Sequence, residues 1–534
     1  MKANPNRFWF IVILLGWSFD FLFWKKPGVG INFFLFVTFC LGAGIYLLKT
    51  DGLRLSRTSS LLLLPIAFLA AVTFVRQEPM TVFFSVSMTL FLMGVFALTY
   101  LSGEWVKYGF VDYFLGYLKL FGSMIVRPIG FSAEVRKEQP SAGEKRGSRV
   151  WLPIVRGIVI ALPIIAIFAS LLSSADPIFE KRFQDFIELL NIENLPEYIF
   201  RLIYILIFAY ALAGTYLHAA QKSGEPVETK SLIPSFLGFT ESTIVLGSVA
   251  ILFAAFVIIQ FQYFFGGQAN INLEGYTYSE YARRGFGELV TVAFFSLLML
   301  LGLGAITRRE TDQQRKLFSG LGVTLVVLVI VMLVSAYQRL VLYEFAYGFS
   351  RLRTYTHVFM IWLGLLLVAV VVLEILRRER SFGLTMVLAS LGFVISLGML
   401  NVDAFIVRQN VQREIRGTGD KSFTQGRPDL DAQYFLDLSD DAVPALVDAF
   451  TNKSLPDGVH EKIGAALVCK RHERQQETRK IPWQAFHVSR YLADIQFMKV
   501  ARELNSYKII DKDSPIKVET PGGDEFSCWQ YYYD

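Results

Sequence analysis

Residues 318–341 read FSGLGVTLVVLVIVMLVSAYQRLV. From Leu325 to Val334 every side chain is apolar, and the first charged group is Arg339. At about 1.5 Å of rise per residue, a helix of this length crosses a hydrocarbon core of about 30 Å. Its apolar character is not confined to one stripe, as on a helix at the surface of a soluble protein, and it does not alternate as a barrel strand would. Lipid offers the backbone no hydrogen-bond partner, so such a segment must be helical.

Runs of the same kind recur on both sides of this one. They are Phe8 to Trp24, Gly28 to Leu48, Ser60 to Val75, Thr81 to Leu101, Leu152 to Leu172, Tyr198 to Leu217, Ile244 to Phe265, Gly287 to Ile306, Tyr355 to Leu376 and Phe382 to Val402. The pattern predicts an all-α integral membrane protein of about eleven transmembrane helices, with a small, mainly α C-terminal soluble domain. Composition agrees, because only 18% of the 534 residues are charged and 53% are hydrophobic, against about a quarter charged in soluble domains. Lys25-Lys26-Pro27 follow the first run in place of a small-residue cleavage site, so it reads as a membrane helix and not a cleavable signal.

The net charge is +6, but the bases sit in short loops between spans, where they set orientation, and no nucleic-acid partner is expected. Lys2 and Arg7 precede the first span. Lys49, Arg54 and Arg57 follow the second, Arg127 to Arg149 the fourth, Arg308, Arg309, Arg315 and Lys316 the eighth, and Arg377, Arg378 and Arg380 the tenth. The positive-inside rule places the N-terminus and these loops in the cytoplasm, and an odd number of spans then puts the C-terminus outside. Lys25 and Lys26 are the exception.

Four regions follow: 1–101, with four spans; 102–150, a cytoplasmic loop; 151–402, a seven-span core; and 403–534, an extracytoplasmic C-terminal domain. Within the loop, Glu104 to Val126 is rich in aromatics and suits either an interfacial helix or an amphipathic helix packed on the bundle. Glu134 to Arg149 reads as a flexible linker. In the last region Ser439 or Asp441 caps a helix that holds Pro444 in its first turn, and Glu461 to Arg479 and Ser489 to Asn505 look helical.

Ionisable groups at membrane depth are costly unless paired or hydrated. On that ground Arg339, Glu344, Arg351, Arg353 and His357, joining the ninth and tenth spans, are candidate ligand-binding residues. Interfacial anchoring by snorkelling Arg and a belt of Tyr and Trp is the competing reading. Glu280, Arg283 and Arg284 lead into the eighth span, where helical spacing also fits plain surface pairing. Asp176 ends the fifth span and Asp403 follows the last. All of these lie at span ends on one side, which fits a single polar pocket beneath the C-terminal domain. Built from Arg and Tyr, it would favour an anionic lipid or an envelope intermediate. Cys469 and Cys528 are expected to form a disulfide if the domain lies in an oxidising compartment. No metal site or cofactor is expected, since no second Cys or His pair joins Cys469 and His472 at zinc spacing. No phosphate loop, nucleophile elbow or HExxH is present.

Several stretches carry a resemblance. They are Ser173-Ser174-Ala175-Asp176-Pro177, Tyr281-Ala282-Arg283-Arg284-Gly285-Phe286, Tyr347-Gly348 through Arg351-Leu352-Arg353 to Thr356, Asn401-x-Asp403-Ala404, Asp441-Ala442-Val443-Pro444-Ala445-Leu446 and Trp483-x-x-Phe486. Between about Trp151 and Ser489 the chain resembles a bacterial multi-pass membrane family known only as the domain of unknown function 4173 family. The resemblance implies a bacterial inner or plasma membrane protein and brings no activity and no catalytic residues. The function expected is that of an envelope sensor, scaffold or assembly component. A transporter or handler of an anionic or lipid-linked substrate is the alternative, followed by a membrane-surface enzyme using Glu344, His357 or Asp176 as acid or base. No internal repeat of the kind found in many transporters is visible.

Overall fold

Apolar runs become helices wherever the computed structural model describes them, over residues 4–26, 28–138, 161, 164–165, 168–189, 195–221, 236–265, 286–417, 430–452, 455–478, 481–511 and 516–528. The long helices are α1 (Pro5–Phe23), α2 (Ile31–Thr50), α3 (Leu63–Val75), α4 (Pro79–Thr99) and α5 (Phe110–Glu138). They continue with α6 (Pro177–Leu189), α7 (Leu195–Ala219), α8 (Phe239–Phe265), α9 (Phe286–Ile306), α10 (Asp312–Tyr347), α11 (Arg351–Ile375) and α12 (Phe382–Leu400). Eleven helices among the described residues are long and apolar enough to cross a membrane. Their exposed side chains include Leu64, Ile251 and Leu252, a surface that suits lipid and would be a liability in water. The chain is a multi-pass membrane protein.

The count matches the expectation, but one member differs. The run Leu152 to Leu172 lies largely outside the described residues, and the eleventh helix by length and composition is α5. Two compact units divide the chain, one of Met1–Trp24, Gly42–Leu53 and Leu120–Ala220, the other of Lys25–Leu41, Arg54–Lys119 and Gln221–Asp534. In the second, Tyr117 donates its hydroxyl to the Phe91 carbonyl and Gly116 packs on Leu98, both in the second half of α4. In the first, Ser123 lies 2.7 Å from His218 Nδ1 at the end of α7, and Phe131 meets Phe8 at the start of α1.

In the first unit, α1 and α7 are clamped around a buried carboxylate. Arg201 Nε donates to Asp20 Oδ1 at 2.9 Å, its Nη2 reaches Oδ2, and Tyr204 donates to Asp20 at 2.5 Å. A carboxylate within a span needs such partners.

In the second unit, α8 to α12 pack around Leu325, Val329, Ala336 and Leu340 of α10. Thr311 and Gln314 cap α10 reciprocally, at 3.3 Å each way. The C-terminal domain comprises α13 (Val402–Gly417), α14 (Val443–Phe450), α15 (Asp457–Thr478), α16 (Val488–Lys499) and an antiparallel sheet β1 (Lys508–Asp511), β2 (Lys517–Glu519), β3 (Glu525–Ser527). Ser439 caps the turn that leads into α14 with Pro444 near its start, as the pattern predicts. The mixed pattern after Lys508 resolves as the three strands. Cys469 and Cys528 are bonded, tying α15 to the residue after β3. The core of this domain, around Phe435, Leu446 and Leu467, continues into Leu397, Phe393 and Phe84 of the spans.

Candidate functional site

The C-terminal domain meets the spans through charged groups, not apolar contact alone. Arg351 opens α11 and Asp403 opens α13. Arg351 Nε donates to Asp403 Oδ1 at 2.7 Å and Nη2 to Oδ2 at 2.6 Å, a two-point fork that fixes both position and angle. Asp403 is fully buried and also accepts the Ser439 N–H at 2.6 Å. The Arg351 N–H donates to the Tyr434 hydroxyl at 2.9 Å.

Asp441 provides the second anchor. Its Oδ2 accepts the backbone N–H groups of Gln77, at 2.7 Å, and Glu78, at 3.0 Å, in the loop between α3 and α4. Arg76 of that loop lies 4.0 Å from Asp441 Oδ1 and donates to the Gly398 carbonyl of α12 at 3.0 Å. Burial pushes the Asp441 carboxyl up to about 6, against the pull of the Gln77 and Glu78 amides and Arg76 and with the push of Asp403. Glu78 caps α4 through the Met80 and Thr81 amides and accepts the Tyr355 hydroxyl. The start of α2 is held nearby, where the Ile31 N–H donates to the Phe486 carbonyl at 3.2 Å. His487 packs beside it, its imidazole pushed down to about 4, first by burial and then by Arg490.

Half a turn around α11 from Arg351 and Tyr355, a second group faces α10. His357 Nδ1 lies 3.0 Å from the buried Glu344 carboxylate, and its ring packs 4.6 Å from Tyr337. His357 Nε2 meets no hydrogen-bond partner among the described residues. Arg353 donates to the Gly348 carbonyl and stands 4.1 Å over the Tyr343 ring. Arg339 is buried in α10. Gly348 makes this elbow possible. Its φ is +82°, and a Cβ there would come within 2.8 Å of Asn410 Oδ1, whose amide brackets Phe349 on both sides.

The sequence-selected residues therefore fall into three sets. Arg351 and Asp403 form an ion pair at the joint; Glu344, His357 and Arg353 gather on the other flank of α11. Asp176 belongs to the first unit and caps α6, accepting the Ile178 N–H at 2.8 Å. Glu280, Arg283 and Arg284 lie outside the described residues. Sequence reading passed over Arg76, Glu78 and Asp20. Asp20 carried a usable signal, a lone carboxylate in an apolar run. Asp441 read as a helix cap, and nothing local marked the loop 364 residues away whose amide it accepts.

Comparison with known proteins gives one match. A family model described as Domain of unknown function (DUF4153) covers residues 63–449, which takes in the joint from Arg76 to Asp441. The matched family is 4153 and not the 4173 family that the quoted motifs resemble; the coarser reading, a multi-pass chain in a family of unknown function, stands. The chain matches no curated protein and no solved structure.

Proposed function

Since the chain belongs to the DUF4153 family, which lends it no activity, we propose a reading from its own geometry: a sensor or scaffold of a bacterial cell envelope, whose C-terminal domain passes its state to the span ends beneath it. One observation carries this. Two buried carboxylates, Asp403 and Asp441, hold the start of α11 and the α3–α4 loop, and Arg76 extends the hold to α12. Hydrogen bonds of this directness transmit displacement, because a buried charge cannot leave its partners without a cost of several kcal/mol.

The basic loops support a cytoplasmic N-terminus and an extracytoplasmic C-terminal domain, and the Cys469–Cys528 bond supports an oxidising side. Hydrogen–deuterium exchange on the full chain in nanodiscs tests the coupling. Asp441→Ala is expected to speed exchange in 430–528 and, together with it, at Gln77, Glu78 and the first turn of α11. Faster exchange confined to 430–528 refutes coupling.

A second reading, handling of an anionic or lipid-linked substrate, draws on the Glu344–His357 pair, whose ring Nε2 is buried and meets no hydrogen-bond partner among the described residues. Arg351 contributes less to it, since Asp403 already fills its fork.

A further inference from the structure

At the end of the second unit away from the C-terminal domain, a cavity of about 210 Å³ lies between α9, α10 and α11. Leu300, Val323, Val326 and Val370 make its walls, and Gly304 and Gly322 leave room inside. Two charged groups also line it. Arg309 Nη2 donates to the Gly304 carbonyl at 2.6 Å, and its guanidinium stacks 4.5 Å above the Phe318 ring. Nη1 lies 3.9 Å from Glu374 Oε1, and the two side chains are only 7% and 24% exposed. Arg309 is the third residue after α9 and Glu374 is in the last turn of α11, so both stand at span ends, the depth of lipid headgroups.

A cation and an anion at the rim of an apolar hole, at headgroup depth, complement a molecule with both charges on a hydrocarbon tail. We propose that this cavity binds a zwitterionic phospholipid bearing a primary ammonium, with its phosphate beside Arg309, its ammonium beside Glu374 and one acyl chain entering between Val323 and Val370. A headgroup with phosphate alone would meet the Glu374 carboxylate unfavourably, and a purely cationic amphiphile would meet Arg309. At 3.9 Å the Arg309–Glu374 contact is longer than a hydrogen bond, so Glu374 gains by accepting from an ammonium while Arg309 keeps its bond to the Gly304 carbonyl. The cavity accommodates the upper part of one chain, and the rest of the lipid remains in the bilayer. The site lies at the opposite end of the spans from the joint, so its fate is independent of the coupling reading.

The test uses the full chain in nanodiscs containing phosphatidylethanolamine with a diazirine on the upper acyl chain. Cross-links are expected in peptides spanning 300–326 and 370–383. Excess unlabelled phosphatidylethanolamine should compete and phosphatidylglycerol should not. Ala305→Trp, which fills the cavity, should cut labelling about tenfold, and Glu374→Gln should erase the preference between the two lipids. Labelling spread evenly over lipid-facing helices, equal competition by phosphatidylglycerol, or undiminished labelling of a folded Ala305→Trp chain overturns the proposal. If Ala305→Trp does not fold, competition on the unmodified chain decides the matter alone.

Discussion

Asp441 and His487 face the same α3–α4 loop, and their protonation works in opposite directions. The Asp441 carboxyl, raised from 3.8 to about 6, holds a proton in the docked domain that it releases when undocked. Between those limits docking strengthens as pH falls. The His487 imidazole, lowered from 6.5 to about 4, refuses a proton when docked that it takes when free, so docking weakens as pH falls through the same window. Each displacement is worth about 3 kcal/mol. We expect the unmodified chain to show a nearly flat thermal stability between about pH 4 and 6.5. His487→Gln should unmask stabilisation on acidification and Asp441→Asn destabilisation. Parallel slopes in both variants would refute the compensation. At the Arg351–Asp403 fork the expectation concerns asymmetry. Asp403→Asn alone strands the Arg351 charge and should cost about 3–5 kcal/mol, whereas Arg351→Met with Asp403→Leu should recover most of it. Thermal unfolding of the three proteins in detergent measures the difference.

Where they are described, the spans were legible in the sequence to within six residues, because one physical fact, the absence of water in the bilayer core, dictates them. The expected run from Phe382 ends two residues beyond the observed α12 because Asn401 takes a left-handed φ of 50° and turns the chain into α13. The nature of α5 was half legible: its aromatics suit the headgroup region, while its length and composition also suit a span. The joint was not legible, because hydrogen bonds between Asp441 and two main-chain amides depend on no side-chain signature at the receiving end. The α10–α11 elbow makes a testable case at this scale. Gly348→Ala must place a Cβ at positive φ and against Asn410, so it should destabilise the chain by about 1–3 kcal/mol and free the Glu344–His357 flank. A labelling rate for a cysteine placed at Tyr347 should rise in that variant; an unchanged rate would show that the elbow tolerates the side chain.

At the scale of the whole chain, the proposed sidedness has a direct readout. Alkaline phosphatase fused after residue 534 should be active and a fluorescent protein, exported by the general pathway, dark; the reverse pattern overturns the assignment. Maleimide–polyethylene glycol should label only Cys40 in denatured chain without reductant, and all three cysteines after reduction. Asp441 also sets a schedule for biosynthesis. The amide of Glu78 emerges from the ribosome 363 residues before the carboxylate that receives it, a wait of tens of seconds at roughly 5–20 residues per second. Throughout that interval the α3–α4 loop lacks its carboxylate partner, and every later span threads in before the loop is closed. A nascent chain that stalls short of Asp441 is thus marked as unfinished in its early part, where a membrane protease or insertion chaperone could recognise it, and only synthesis of Asp441 removes the mark.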